Sequence, residues 1–198
     1  MQSFQLYIIY GASGVGKSMI TKMVKSFISD LKITIHRKDT TRSPRKGESK
    51  SGTDDLGFVK KMSNNKYAVI YNYCGHKYGV RNDLLNKAFM DKAIHFIIVA
   101  DIQAIKKLKL MYPMAKVIFV HADYKEMSEK IRQADTLDWK KRKVRAQSIY
   151  KNFIKYNTLF DYVILNFWDI DKALQQLKNI IKYNGGVKHI LKTPPILN

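Results

Sequence analysis

The stretch of sequence that decides the fold is GASGVGKS, at residues 11–18. It fits the pattern G-x-x-x-x-G-K-S and follows the β-branched and aromatic run at residues 6–10, which predicts a buried strand. After it, apolar residues recur every three or four positions across residues 19–28, as they do on one face of a helix. A turn between a strand and a helix is the context in which this pattern binds phosphate.

Each residue type in this turn has a chemical reason. Glycines let backbone N–H groups approach phosphate oxygens, and the positive end of the following helix dipole adds to their attraction. Lys17 would bridge the β- and γ-phosphates of ATP, and the Ser18 hydroxyl would ligate Mg²⁺, the predicted cofactor. The ATP-binding residues predicted in the turn are Gly11, Ala12, Ser13, Gly14, Val15, Gly16, Lys17 and Ser18.

The composition limits the class of protein. The chain has 198 residues with 36 Lys or Arg against 16 Asp or Glu, which gives a formal net charge of +20. Its apolar content of 45% suits one folded domain with a small insertion and excludes a disordered or collagen-like chain. The single cysteine, Cys74, excludes an internal disulfide. The basic excess favours anionic partners, either nucleotides or a polyanion such as nucleic acid.

Membrane and targeting signals are weak in this sequence. The longest apolar runs, residues 6–10 and 94–100 among them, are far shorter than the ~20 residues that span a bilayer. No charged leader precedes an apolar stretch near the N-terminus. We therefore expect a cytoplasmic protein without a membrane partner, and the sequence leaves monomer and homodimer open.

Predicted strands and helices alternate along the chain. Apolar patterning predicts strands at residues 33–36, 58–59, 67–73, 94–100, 116–120 and 162–165, and helices at 102–111, 125–133 and 144–160. Asp169 is expected to cap a final helix, whereas the segment 37–57 has too few apolar residues for core and predicts a basic loop. Such alternation predicts an α/β domain with a mainly parallel central sheet flanked by helices.

A second segment resembles the acceptor-binding region of the guanylate kinase family. Residues 40–48 read TTRSPRKGE and are followed by Gly52 and the pair Phe58-Val59. Further matches stand in the family's order and at similar spacing, at Gly75, Tyr78, Gly79, Asp101, Gln103, Arg145 and Asn166. Across residues 4–183 the chain is therefore similar to guanylate kinases, which are P-loop nucleoside-monophosphate kinases.

The resemblance implies an ATP-dependent kinase that moves a γ-phosphoryl group to a nucleoside monophosphate, with GMP or dGMP as the first choice. It divides the chain into a core (1–36, 91–131 and 146–183), an acceptor-binding α+β insertion (37–90), a lid (132–145) and a tail (184–198). The implied catalytic residues are Lys17, Arg42, Arg45 and Arg145; the acceptor ligands are Arg42, Arg45, Tyr78 and Asp101; Asn166 joins the ATP site. Two guanidinium groups three positions apart suit a monophosphate dianion.

The chain departs from the family where guanine would be recognised. The family's guanine-reading glutamate falls on Val69, and the Ser or Thr after Y-G falls on Val80. Neither valine can hydrogen-bond a base edge. Lys38 replaces a serine near the phosphate, Leu56 replaces a tyrosine, and Val99 replaces the first Asp of D-x-D. The loss of these polar groups predicts a relaxed or redirected choice of acceptor.

Three alternatives to a nucleoside-monophosphate kinase stay open. An apolar residue after Y-G also resembles ribose 1,5-bisphosphate kinases, whose acceptor is a sugar phosphate without a base. A non-catalytic guanylate-kinase-like module would bind partners through its basic surface, although the intact Lys17 and Ser18 argue against it. A polynucleotide kinase or nucleic-acid-dependent ATPase would use the basic residues that phosphate binding leaves unexplained.

The remaining polar residues are interpreted as solvent-exposed, lid or structural residues. Asp54 and Asp55 are interpreted as solvated loop acids, with a contact to the acceptor as the alternative. Arg132 and Arg142 are available in the lid, although Arg145 is better placed by spacing. The histidines show no metal-ligand or catalytic spacing, so they are interpreted as structural or surface residues: His36, His76, His95, His121 and His189.

Overall fold

The computed structural model describes residues 5–45, 47–91, 93–134 and 139–183. The strands of this part of the chain are β1 (Gln5–Tyr10), β2 (Ile33–Ile35), β3 (Lys38–Thr40), β4 (Leu56–Phe58), β5 (Tyr67–Tyr73), β6 (His76–Arg81), β7 (Ile94–Ile98), β8 (Lys116–His121) and β9 (Tyr162–Leu165). The helices are α1 (Lys17–Phe27), α2 (Asn82–Met90), α3 (Ile102–Met111), α4 (Tyr124–Ala134), α5 (Trp139–Lys155) and α6 (Ile170–Tyr183).

Five parallel strands form the central sheet, in the order β2-β7-β1-β8-β9. The middle strand β1 is buried from Leu6 to Tyr10, with each of these residues 3% exposed or less. Burial on both faces explains why its sequence is continuously apolar rather than alternating. The carboxyl end of β1 leads directly into residues 11–18, so the glycine-rich turn lies at the sheet edge where α/β proteins bind their ligands.

A smaller four-stranded sheet, ordered β4-β3-β6-β5, lies within the predicted acceptor-binding insertion. β3 pairs in parallel with β4 and antiparallel with β6, and β5 and β6 form a hairpin. The hairpin turn has positive φ at Cys74 (52°) and Gly75 (84°), as a two-residue type I′ turn requires. Because β3 runs into residues 40–48 and β6 carries Tyr78, this sheet brings two predicted acceptor-binding segments together.

The predicted fold class is confirmed, and so are most of the predicted elements. Two expectations were wrong in detail. Segment 37–57 contains β3 and β4 as well as loop, because two short strands can be completed by the neighbouring hairpin without an apolar pattern of their own. Helix α5 begins at Trp139 instead of 144 and ends at Lys155, because Lys and Arg are good helix formers and Arg142 faces inward at 5% exposure.

The predicted lid and tail lie partly or wholly outside the residues that the structure describes. Positions 135–138 of the predicted lid and the whole tail at 184–198 lie outside the described residues. The other lid positions belong to the end of α4 and the start of α5. Within the described ranges, the structure contains no helix with the length and apolar content that a membrane crossing needs.

Candidate active site

The glycine-rich turn at residues 11–18 is shaped by its own backbone and by one distant side chain. Helix α1 starts at Lys17, with Gly16 as its N-cap at φ 86°. A Cβ at Gly16 would lie only 2.7 Å from Asn166 Nδ2, so this position requires glycine. Asn166 Nδ2 donates to the Val15 carbonyl at 2.9 Å, and Asn166 Oδ1 accepts from the Trp168 N–H at 3.0 Å. The structure thus places Asn166 at the predicted ATP site, where it supports the turn.

Lys17 lies inside the turn, where its ammonium group donates to the Ala12 carbonyl. Removal from water, followed by the charge of the neighbouring Lys38, lowers the pKa of Lys17 to about 7, against an opposing effect of Asp55. A cation held at this cost is stabilised by any anion that enters the turn. The phosphates of ATP, predicted to bind here, would be such an anion.

Ser18 is hydrogen-bonded to an acid that sequence analysis assigned to solvent. The Ser18 hydroxyl donates to Asp55 Oδ2 at 3.0 Å, and Thr53 Oγ1 donates to Asp55 Oδ1 at 3.0 Å. Burial alone would raise the pKa of Asp55, but the charge of Lys38 and these two hydrogen bonds bring it below its usual value. The interpretation of Asp55 as a solvated acid was wrong, since only 9% of it is exposed.

Asp54 differs from its neighbour and is a surface residue. Its side chain is 61% exposed and lies 3.5 Å from the Nζ of Lys22, which is itself 73% exposed. An ion pair this open to solvent contributes little to stability. Of the two adjacent acids, only Asp55 belongs to the candidate site.

The loop after β3 is organised by Glu48. Arg42 Nη1 and Nη2 donate to Glu48 Oε2 and Oε1 at 2.6 and 2.7 Å, and the Arg45 N–H donates to Glu48 Oε2 at 2.8 Å. The Arg42 guanidinium also lies 5.1 Å above the Phe58 ring. One carboxylate therefore holds the Arg42 guanidinium through a bidentate pair and the backbone of Arg45 through one hydrogen bond.

Six of the predicted site residues line one cavity of about 110 Å³: Ser13, Lys17 and Ser18 from the predicted donor set and Arg42, Arg45 and Tyr78 from the acceptor set. Its charged and hydroxyl-bearing wall includes Lys17, Ser18, Lys38, Arg42, Arg45 and Asp55. Its aromatic wall is formed by Tyr71, Tyr73 and Tyr78, with the Tyr78 ring 5.7 Å from Tyr71 and 6.1 Å from Tyr73. Three segments that are far apart in sequence thus converge on a space lined by four cationic side chains, one carboxylate and three tyrosines.

Asp101 and Arg145 lie together at the edge of this region. Asp101 Oδ1 accepts from the Ala104 N–H at 2.9 Å and so caps α3. Arg145 Nη2 lies 3.6 Å from Asp101 Oδ2, and the Arg145 guanidinium is 5.7 Å from the Tyr73 ring. The structure places both predicted residues beside the acceptor half, where they contact each other.

Arg142 is a site residue that the sequence analysis did not select. Its Nε and Nη2 donate to the Ser13 hydroxyl at 2.9 and 2.7 Å, so α5 contacts the glycine-rich turn directly. Spacing was the available signal, because residues three positions apart share one face of a helix and Arg142 precedes Arg145 by that distance. Burial of a charged residue is not visible in such a pattern.

Replacing Arg142 with methionine is expected to lower kcat by about 10²-fold. A cation held at the glycine-rich turn would stabilise the negative charge on the phosphoryl group during transfer. The measurement is ADP release in a coupled assay with ATP and GMP. Lys143→Met is the matched control, since Lys143 is exposed on the same helix. Equal kcat values for Arg142→Met and the control would contradict this role.

A phosphoryl transfer between two phosphates needs both of them bound side by side, and the cavity is lined by residues predicted for each of them. The fold and the site place the protein in the class of ATP-dependent P-loop nucleoside-monophosphate kinases. A sequence profile of the family described as guanylate kinase matches residues 3–184. The chain therefore belongs to the guanylate kinase family, which confirms the resemblance predicted from its motifs.

Individual relatives match along nearly their full lengths. The chain is 28% identical over 189 residues to guanylate kinase of Fusobacterium nucleatum subsp. nucleatum, covering 92% of this chain and 97% of that protein. It is 29% identical over 188 residues to guanylate kinase of Prochlorococcus marinus subsp. pastoris, covering 90% and 97%. The crystal structure of guanylate kinase from Anaplasma phagocytophilum has the same fold, with a TM-score of 0.66, 21% identity and coverage of 93% and 87%.

Proposed function

We propose that this protein transfers the γ-phosphoryl group of ATP to GMP or dGMP with Mg²⁺ as cofactor. The observation that carries the proposal is the single cavity in which Lys17 and Ser18 of the phosphate loop face Arg42 and Arg45. An acceptor phosphate held by the arginines would lie next to the γ-phosphate, as in-line transfer demands. Membership of the guanylate kinase family supports a guanine nucleotide as the acceptor.

The reaction needs alignment and charge, not a covalent enzyme intermediate. An oxygen of the acceptor phosphate forms a bond to the γ-phosphorus of ATP, and the bond from that phosphorus to the bridging oxygen of ADP breaks. Lys17 and the backbone N–H groups of the turn hold the donor, while Arg42, Arg45 and Tyr78 hold the acceptor. Arg142 and Arg145 supply further positive charge from α5.

The residues at the turn fit Mg²⁺. The ion prefers hard oxygen ligands, and the Ser18 hydroxyl offers one. Because Asp55 accepts the hydrogen of this hydroxyl, the oxygen lone pairs of Ser18 stay available for a cation. When bound, Mg²⁺ neutralises charge on the phosphate oxygens. Ser18 would hold the ion, and Asp55 would orient Ser18.

Base recognition rests on packing more than on hydrogen bonds in this proposal. Val69 and Val80 are cross-strand partners in the β5–β6 hairpin, 3% and 2% exposed, and both belong to the hydrophobic core. Tyr73, which is half-buried, offers aromatic surface in the cavity that the acceptor arginines also line, whereas Tyr71 is buried against Tyr78. Stacking on tyrosine tolerates any base, because every base has a π-face. The pocket would therefore hold guanine without rejecting other bases strongly.

A panel of acceptors tests this proposal. We expect ADP release with GMP and dGMP, and a kcat/KM ratio of GMP to AMP below about 10², since only sites that hydrogen-bond the substrate reach ratios of about 10⁴ to 10⁵. CMP, UMP and ribose 1,5-bisphosphate complete the panel. Turnover of ribose 1,5-bisphosphate alone would overturn the nucleotide acceptor, and turnover of none would overturn the kinase. A GMP to AMP ratio above about 10⁴ would overturn recognition by stacking.

A further inference from the structure

A buried lysine lies between the donor and acceptor halves of the cavity. Lys38, the first residue of β3, is 6% exposed and lines the same space as Lys17, Ser18 and Arg42. Lysine is almost never buried unless it is paired. Its Nζ lies 3.8 Å from Asp55 Oδ2, which is longer than a hydrogen bond. An ammonium group has three donors, and Asp55 is an ion-pair partner for this one at the cavity wall.

The charge of Lys38 reaches both halves of the cavity. It lowers the pKa of Lys17 on the donor side, second only to removal from water. Its own pKa is lowered mainly by burial, with Asp55 opposing and Arg42 on the acceptor side adding to the decrease. Lys38 therefore lies within electrostatic range of a cation on each side. The three cations Lys17, Lys38 and Arg42 have two carboxylates beside them, Asp55 and Glu48. Positive charge is therefore in excess in this buried space, and a further anion would be stabilised there.

We propose that Lys38 is a catalytic residue that binds the phosphoryl group as it passes from the donor side, at Lys17, to the acceptor side, at Arg42. The inference rests on the proposed transfer reaction and assigns Lys38 a ligand class, a phosphate dianion. Lys38 forms no covalent bond and gives up no proton; its ammonium group offsets negative charge on the oxygens in transit. A compact ammonium group on a flexible stem can follow a moving phosphate better than the planar fork of arginine.

Asp55 has a positioning role in this arrangement. Its Oδ2 accepts from Ser18 at 3.0 Å and lies 3.8 Å from Lys38 Nζ. One carboxylate oxygen thus faces both the predicted Mg²⁺ ligand and the proposed phosphate ligand. The other oxygen of Asp55, Oδ1, accepts a hydrogen bond from Thr53, which fixes the carboxylate. Asp55 therefore positions the Ser18 hydroxyl and the Lys38 ammonium group relative to each other before substrate binds.

Lys38→Met tests the proposal, because methionine keeps most of the length of the unbranched side chain and removes its charge. We expect kcat with ATP and GMP to fall by about 10²-fold, with the KM for ATP changed less than about threefold. Titration calorimetry with inorganic phosphate is expected to show binding weakened by about tenfold or more. The matched control is Lys22→Met, which removes an exposed lysine of α1 and should leave both measurements unchanged.

The melting temperature separates a folding defect from a catalytic one. Removing Lys38 leaves the buried Asp55 carboxylate with its hydrogen bonds from Ser18 and Thr53 but without this ion pair, so the melting temperature should fall. Lys38→Gln, which keeps a hydrogen-bond donor, is the second variant if Lys38→Met does not fold. Unchanged kcat and unchanged phosphate affinity in the folded variant would overturn the role of Lys38. If the unmodified protein turns over no acceptor, the proposed function fails, yet phosphate titration still tests Lys38 because it needs no turnover.

Discussion

Replacing Lys17 with methionine is expected to reduce phosphoryl transfer by at least about 10³-fold. Lys17 begins α1, lines the shared cavity and reaches back to the Ala12 carbonyl, so its charge is directed at the place where the donor phosphates would bind. The backbone of the turn is set by its glycines and by Asn166. Methionine at position 17 should therefore preserve the loop while removing the charge that stabilises the transferring group.

The measurement is ADP release at saturating ATP and GMP, with thermal unfolding as a check on the fold. Lys25→Met is a suitable control, because Lys25 lies on the exposed side of the same helix. Its kcat should stay within about twofold of the unmodified protein, as surface substitutions usually have small effects. A Lys17→Met protein that keeps more than a tenth of the original kcat would show that the glycine-rich turn is not the donor site.

The strand, the glycine-rich turn and the helix that follows it could be predicted because the residues that form them are contiguous in sequence. Residues 11–18 carry the glycines, the lysine and the serine in one octapeptide, and a strand and a helix on either side are visible as apolar patterns. The fold class followed from the same alternation, since parallel strands connected by helices have few arrangements. Local sequence therefore determines the turn itself, although Asn166 and Arg142, which contact it, come from distant segments.

Charged residues that become buried could not be predicted in the same way. Lys38, Asp55 and Arg142 have the sequence surroundings of solvated residues. The sequence analysis interpreted Asp55 as a solvated loop acid and named Arg142 only as one of the arginines available in the lid. Their partners lie elsewhere: Ser18 is 37 positions from Asp55, and Ser13 is 129 positions from Arg142. The pattern of charges along the sequence does not show which charged side chains are buried. Burial depends on the residues from other segments that the fold packs against each side chain.

The loop after β3, at residues 40–48, could be predicted in part. The resemblance singled out Arg42 and Arg45 as phosphate ligands, and the structure places both at the cavity. It also shows that Glu48, quoted only as part of the motif, occupies both terminal nitrogens of Arg42. Contact between Arg42 and an acceptor phosphate stays a prediction, and the geometry adds that such a contact would use the guanidinium while Glu48 holds it.

Acidification is expected to destabilise the fold through a buried histidine pair. His36 Nε2 lies 2.9 Å from His95 Nδ1, and the two side chains are 6% and 1% exposed. One nitrogen of this contact must donate and the other accept, so at least one ring is neutral. The pair joins the chain just beyond β2 to the neighbouring strand β7, two residues before Lys38. Protonation of both rings would thus separate the central sheet from the segment that enters the acceptor region.

The size and sign of the effect follow from the titration of His36. Burial, then the charge of His95, lowers the pKa of His36 from 6.5 to about 4. Between these values the unfolded chain binds a proton that the folded chain does not, so stability present above pH 6.5 is lost as the pH falls toward 4. The loss is about 3 kcal/mol, a large share of a typical stability of about 5–15 kcal/mol. Burial also lowers the pKa of His95, which adds an effect of the same sign.

Urea unfolding at pH 7, 5.5 and 4.5 measures this dependence. The unfolding free energy of the unmodified protein should decrease across the series, most of it before the majority of carboxylates titrate. His36→Gln removes the titrating ring and keeps a hydrogen-bonding side chain, so its free energy should be lower at pH 7 and should change less with pH. If both proteins lose the same free energy between pH 7 and 4.5, the histidine pair does not control acid stability, and the cause must lie among the acidic residues.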